Sequence, residues 1–240
     1  MSRDAELERA RAAYRARDAS TETPYRWDNP GYVLYMQSVE RAVLAALRDA
    51  HVELTGARTL DVGCGSGYFL HRLREYGAGE CVGIDLVEER IAAARERYPG
   101  LDLRVGNAAE LPFEDGSFAL VTQFTCLSSI VDDDLRFAAA REMLRVAAGG
   151  WVLSFDMRGA RARRRPANAT QTVPLDDSEL RRLFGEPSLL RRASLRFDLA
   201  QLLGRRPLLA AALAELPTLR GSLLGLWRVP DGHEAGRSDR

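Results

Sequence analysis

Lysine is absent from this 240-residue chain: all 34 basic side chains are arginine. A Walker-type phosphate loop needs a lysine on the phosphates, and Schiff-base chemistry needs a lysine amine, so both are excluded. Histidine and cysteine are scarce, three of each. Cys64, Cys81 and Cys126 form an odd set without paired spacing, which argues against a disulfide framework and fits a reducing compartment, so a cytoplasmic location is expected. These residues are too scattered to compose a zinc site, and no metal is expected. The 34 acidic residues balance the arginines, leaving no global charge to attract nucleic acid or a membrane. No apolar run approaches the roughly 20 residues that span a bilayer. The charged start MSRDAELERARAAYRARD also lacks a signal-peptide core.

Residues 1–50 read as a helical cap or lid. A polar helix is expected from Ala5 to Arg17, followed by a turn-rich stretch broken by Pro24 and Pro30. Asp28 or Asn29 then caps a helix to about Asp49, with Val33, Met36, Val39, Val43, Leu44 and Leu47 along one face. From 51 to 230 strand-like runs alternate with helical ones. ARTLDVG, ECVGIDL, LDLRVG, FALVTQFT and WVLSFD are the strands. Alternation on this scale predicts βαβ units around a parallel sheet, an α/β fold. After Asp156 come an arginine-rich loop, a short helix in DDSELRRLFG, a strand in SLRFDLA, a helical insertion near 199–216 expected to cover the substrate, and a last strand in SLLGLWRV. Residues 231–240 read as a disordered tail.

The chemistry begins at Asp61-Val62-Gly63-Cys64-Gly65-Ser66-Gly67. A strand runs into three alternating glycines and then a helix, so the backbone can turn sharply and approach a ligand that a Cβ would strike. A dinucleotide loop of the form G-x-G-x-x-G would need its third glycine where Tyr68 stands. Asp85 ends the second strand, where a carboxylate can accept hydrogen bonds from both hydroxyls of a ribose; that fits either nucleoside cofactor.

D-x-G-x-G-x-G, VGIDL and VGNAAELPFEDGSFALV, in this order and spacing, resemble the motifs of class I S-adenosylmethionine-dependent methyltransferases of the small-molecule, methyltransferase-11-like kind. SFALVTQFTCLSSI and REMLRVAAGGWVLSFD extend the likeness, which covers about Arg41 to Asp156. The resemblance implies a Rossmann-like, seven-stranded, mostly parallel sheet with helices on both faces and an antiparallel last strand. It implies S-adenosylmethionine as cofactor and S-adenosylhomocysteine as product. It also assigns cofactor contacts to Asp61, Gly63, Cys64, Gly65, Gly67, Asp85, Leu86, Asn107, Ala108 and Gln123. Asn107 stands where many relatives have Asp, and Ala147-Ala148-Gly149-Gly150 replaces their usual R-P-G-G. The segment YRWDNPGYVLYMQSVERAVL is similar to a subgroup associated with polysaccharide or natural-product tailoring.

Methyl transfer is an in-line displacement that depends on alignment and exclusion of water. None of His51, His71 and His233 falls at the carboxyl end of a strand, where such sheets bind ligands. Asp156, at the tip of the fifth strand, is the candidate base or acceptor-orienting group. Tyr25, Trp27 and Tyr32 are candidate substrate contacts, since a ring face attracts a sulfonium by roughly 0.5–2 kcal/mol. Arg163, in the run Arg158 to Arg165, is a further candidate, able to hold an acidic group on the acceptor. The acid run Asp132-Asp133-Asp134 reads as a helix start rather than a metal site. The expected acceptor is an oxygen or nitrogen of a small molecule, a sugar or secondary-metabolite intermediate, with the protein a monomer or homodimer and no membrane partner. Two alternatives stay open: an RNA methyltransferase using the arginine loop of 158–165, and a non-catalytic cofactor-binding partner subunit. Against the RNA reading, Thr122-Gln123-Phe124-Thr125 lacks the [DNS]-P-P-[YF] that grips a flipped base.

Overall fold

Thr59–Val62 (β1) and Cys81–Asp85 (β2) are buried at every position, as strands covered on both faces must be. Asp102–Val105 (β3) buries only Leu103, which marks it as an edge. With Leu120–Phe124 (β4) and Trp151–Met157 (β5), these strands pair in parallel. Leu189–Leu195 (β6) and Arg220–Arg228 (β7) complete the sheet, whose order is β3-β2-β1-β4-β5-β7-β6. β7 is antiparallel to both neighbours. This computed structural model describes residues 3–19, 24–159 and 172–232.

Eight helices surround the sheet among the described residues: Arg3–Ala19 (α1), Pro30–Asp49 (α2), Tyr68–Glu75 (α3), Glu88–Arg97 (α4), Asp133–Val146 (α5), Asp177–Phe184 (α6), Phe197–Leu203 (α7) and Pro207–Ala214 (α8). One hydrophobic cluster joins the sheet to Ala139, Met143 and Val146 of α5 and to Leu180 and Leu183 of α6. A second joins it to Val39, Val43 and Leu47 of α2, Leu70 and Leu73 of α3, and Ile91 of α4. α2 is therefore a packed layer of the fold, although the sequence reading grouped it with the cap. Its apolar stripe lies along β6 and β7, and Asn29 caps it by accepting the Gly31 N–H at 2.9 Å.

The sixth strand falls earlier than SLRFDLA suggests. β6 is LLRRASL, and the chain turns through Ser194 at φ +50° before Phe197 starts α7. Asp198 in the first turn of α7 favours a helix at that point. The acid run behaves as a helix start: Asp132 accepts the Leu135 N–H at 3.0 Å, and Asp133 pairs with Arg136. The described residues contain no cluster of metal-ligating side chains and no helix long and apolar enough to cross a membrane.

Candidate cofactor and acceptor site

β1 sits between β2 and β4, where the strand order reverses, and in such sheets the crevice opens outside the carboxyl ends. A cavity of about 2090 Å³ lies there. Gly63 and Gly65 form part of its wall with φ of +72° and +52°. A Cβ on Gly63 would sit 2.6 Å from the Cys126 sulfur. The loop thus lies flat against β4's end and offers backbone to the cavity. Its position is held by Asp85, whose Oδ2 accepts the Gly65 N–H at 2.9 Å while Oδ1 accepts the Val87 N–H at 2.9 Å. The sequence assigned Asp85 to a ribose; it is also the tie between two loops, which leaves lone pairs on both oxygens for a ligand. Leu86, Asn107 and Ala108 continue the wall. The Asn107 side-chain oxygen accepts the Ala109 N–H at 3.0 Å, so it shapes its own turn as well as facing the cavity.

Four expected cofactor residues do not border the cavity. Gly67 begins α3 in the left-handed region, and a Cβ there would meet Tyr98 and Leu101; its smallness serves helix packing. Cys64 spends its N–H on the Ile84 carbonyl at 3.0 Å and buries its thiol against Gly83. Burial raises all three thiols, Cys81 to about 11, which leaves them protonated at neutral pH. Asp61 is buried beneath the loop, accepts from the Thr122 hydroxyl at 2.8 Å, and is pushed up to about 7 by desolvation. Gln123 is fully buried. Its Nε2 donates to Ser154 Oγ at 2.5 Å and to Asp156 at 3.2 Å, and its oxygen accepts the Cys126 N–H at 2.8 Å. It braces the turn after β4 and does not line the cavity.

Asp156 does not border the cavity either. Fully buried, it accepts from Gln123 Nε2 and the Ser128 N–H at 3.2 Å each, and from its neighbour Met157 N–H at 2.9 Å. Desolvation lifts it to about 6 against these bonds. A base must reach its proton, and Phe155 and Met157 border the cavity where Asp156 does not. Its neighbour Ser128 belongs to a single 3₁₀ turn, Leu127–Ser129, that is also held from below. Arg136, buried with Glu179 at 3.2 Å, donates to the carbonyls of Leu127 at 3.1 Å and Ile130 at 2.9 Å.

Opposite the glycine loop the wall is aromatic. Tyr25, Trp27 and Tyr32 all border the cavity, as expected, joined by Tyr35, Phe69, Phe124, Phe155 and Phe197. Tyr25 stacks on Phe197 at 5.2 Å, and Trp27 meets Tyr32 edge-on at 5.2 Å. Between the two walls Thr125 takes φ +59°, an outlying conformation for a β-branched residue. Its N–H donates to the Phe155 carbonyl at 2.8 Å, and its own carbonyl accepts from the Ser129 hydroxyl at 2.8 Å. Arg158 borders the cavity; Arg161, Arg163, Arg164, Arg165 and His233 lie outside the described residues. Neither His51 nor His71 lines the cavity.

α1 forms a further wall of this site. Glu6, Ala10, Tyr14 and Asp18 border the cavity, and polar contacts pin the helix at both walls. Glu6 accepts the Val131 N–H at 2.9 Å, the Tyr14 hydroxyl bonds Ser129 Oγ, and Asp18 pairs with Arg90 at 2.9 Å. Arg90 in turn lies over the Tyr14 ring and reaches Asp85 at 3.8 Å. The signal lay in the spacing of Glu6, Ala10, Tyr14 and Asp18, steps of four along one helix face, but Val131, Ser129 and Arg90, which they meet across the site, are more than 70 residues away and nothing local names them.

Residues 59–150 match the family model described as a methyltransferase domain. Over these residues the chain is similar to S-adenosylmethionine-dependent methyltransferase domains. A protein of Mycolicibacterium smegmatis named a probable S-adenosylmethionine-dependent methyltransferase is 32% identical over 131 residues, 54% of this chain and 50% of that protein. Norajmaline N-methyltransferase of Rauvolfia serpentina is 39% identical over 98 residues, 38% of this chain and 32% of that protein. The chain therefore spans half or less of these relatives' length. Among solved structures the [4+2]-cyclase SpnF superposes with a TM-score of 0.63 at 19% identity, covering 86% of this chain and 87% of its own, a likeness of fold alone. The cofactor of the domain family is S-adenosylmethionine, and the Gly63–Gly65 backbone with Asp85 fits it: two glycines without side chains beside a carboxylate, all on the cavity wall.

Proposed function

We propose that the protein is an enzyme that methylates an oxygen or nitrogen of a small molecule, a sugar or secondary-metabolite intermediate. The observation that carries this is one cavity with a glycine-and-carboxylate wall facing an aromatic wall. When bound, S-adenosylmethionine supplies an electrophilic sulfonium methyl. Gly63, Gly65, Asp85, Leu86, Asn107 and Ala108 would hold it, while Tyr25, Trp27, Tyr32 and Phe197 enclose the acceptor and attract positive charge. α1 and the aromatic wall exclude water, and Thr125 fixes the backbone between the two ligands.

Asp156 is sealed away and no described histidine borders the cavity, while the carboxylates of Asp176, Asp177 and Asp198 do; an acceptor that brings its own nucleophile needs none of them. An amine with a free lone pair, or an acidic hydroxyl already ionised, is such an acceptor; the acceptor's proton then leaves to water. The Rauvolfia relative, named an N-methyltransferase, supports the amine.

The test has two parts. Calorimetry with S-adenosylhomocysteine should give one site, which Asp85→Ala weakens by about 1.5–3 kcal/mol; unchanged affinity in the variant defeats the assignment of the cofactor wall. Methyl-labelled S-adenosylmethionine offered with amine, phenol and sugar acceptors should show turnover with at least one class. Binding without turnover on any would favour a cofactor-binding partner subunit, and turnover on RNA alone would favour the nucleic-acid reading.

A further inference from the structure

α8 and the residues around it are apolar and outward-facing. The sequence PLLAAALA has no charged residue, and α8 buries only Ala210. Leu208 is 87% exposed and Leu202, in α7, 78%; Leu209 and Leu216 are exposed as well. Of the seven large hydrophobic side chains exposed on the described chain, four therefore come from one 15-residue segment, 202–216. A fifth, Trp27, shares with Gly204 and Pro207 the lining of a cleft of about 250 Å³ beside it.

The charges at the start of α8 have one sign. Arg205 and Arg206 are exposed immediately before α8, and neither enters an ion pair among the described residues. Glu215, at the other end, is neutralised by Arg220 at 3.3 Å. Two cations at a helix N-terminus oppose the helix dipole, so they do not serve the helix itself. Exposed leucines beside unpaired arginines suit a surface that offers hydrocarbon and anions together.

We propose that the α7–α8 segment is a docking face for an anionic lipid surface, with Leu202, Leu208, Leu209 and Leu216 entering the acyl boundary and Arg205 and Arg206 meeting headgroup phosphates. With no described helix able to cross a membrane, the contact is peripheral. A second copy of the chain is the competing occupant, which the test below separates. Thr218 and Arg220, just past this face, border the large cavity, so docking would set the cavity mouth beside the lipid. The proposal does not depend on the acceptor's identity.

Sedimentation with vesicles tests it, using phosphatidylcholine alone and phosphatidylcholine with about 30 mol % phosphatidylglycerol. Binding is expected on the anionic vesicles at low salt and should fall at least about tenfold for Leu208→Glu with Leu209→Glu. Arg205→Ala with Arg206→Ala should lose about tenfold on anionic vesicles and nothing on neutral ones. S-adenosylhomocysteine affinity should survive all of these, which separates lost docking from lost folding. Leu208→Ser, at the most exposed position, repeats the test with a milder change. Absence of binding to either vesicle, or binding that the leucine variants leave unchanged, would overturn the proposal. So would a homodimer that those variants dissociate.

Discussion

The two walls of the cavity are built from different material. On the cofactor wall the chain offers backbone: Gly63 and Gly65 in the left-handed region, tied by Asp85 and set by the end of β1. On the acceptor wall it offers rings from five separate places, the 25–35 segment, Phe69, Phe124, Phe155 and Phe197. A backbone cradle tolerates almost no added atom, whereas a wall of rings can exchange members and keep its character. The first wall should therefore be brittle toward small substitutions and the second forgiving.

The sharpest break of that contrast lies within the glycine loop. Gly63→Ala places a Cβ against the Cys126 sulfur and in a left-handed backbone. The conformation costs about 1–2 kcal/mol and the overlap about 1–3 more. We expect S-adenosylhomocysteine affinity, read by calorimetry, to fall by about 2–4 kcal/mol, with Cys126→Ala restoring part of it. Gly67→Ala meets only side chains, the nearest the Tyr98 ring at 3.3 Å. It should lower the melting temperature and leave the affinity within about threefold. Equal losses of affinity in the two variants would show that the whole loop, and not its first two glycines, forms the wall.

That division also explains what the sequence could reveal. Glycines at 63, 65 and 67 and the acid at 85 are local requirements of a strand–turn–helix, so their residue types announce the loop. Which glycine faces a ligand depends on Tyr98 and Leu101, packed against Gly67 from the C-cap of α4 and the loop after it, and the motif cannot express that. The aromatic segment was legible as a cluster, because Tyr25, Trp27 and Tyr32 lie within eight residues. Asp156 misled for a related reason. Its place at a strand end is read from the pattern, but the three donors that enclose it come from β4, the 3₁₀ turn and its own neighbour. β6 was misplaced because Leu189 to Arg192 pair with Leu226 to Leu223 of β7, a long-range match that their own sequence does not announce.

Asp61 and Asp156 carry the comparison into the core beneath each wall. Both are raised by burial, to about 7 and about 6, above roughly 4 in an unfolded chain. The native state therefore holds these protons more tightly. Each contributes stability that is complete below about pH 4 and lost as pH rises, through 6 for Asp156 and through 7 for Asp61. Neutral replacements should separate them. Asp61 meets a hydroxyl, Thr122, which can turn and accept, so Asp61→Asn should flatten the pH dependence of the melting temperature between 4 and 7 and be no less stable at pH 8. Asp156 meets two backbone N–H groups and an amide that cannot turn into acceptors without loss. Asp156→Asn should cost about 1–3 kcal/mol in denaturant unfolding at pH 7. If Asp156→Asn instead folded normally and lost turnover at saturating acceptor, Asp156 would be back in the transfer step.

The smallest effect is expected at α1, which bridges the walls through side chains alone. Tyr14 bonds Ser129 in the 3₁₀ turn after β4 while its ring lies under Arg90, itself paired with Asp18. Tyr14→Phe removes the hydroxyl bond and keeps the ring, a loss of about 0.5–1.5 kcal/mol. If α1 opens to release ligand, that loss appears as dissociation of S-adenosylhomocysteine about two- to tenfold faster in stopped flow, with association and melting temperature little changed. Added salt should quicken release further by weakening the exposed Arg15–Glu89 and Asp18–Arg90 pairs. Tyr25→Leu, on the ring wall and away from α1's partners, should instead raise the KM for the acceptor and leave cofactor release unchanged. A Tyr14→Phe protein that releases at the wild-type rate would make α1 a fixed wall, and the difference between the two sides would then be one of material without any difference in motion.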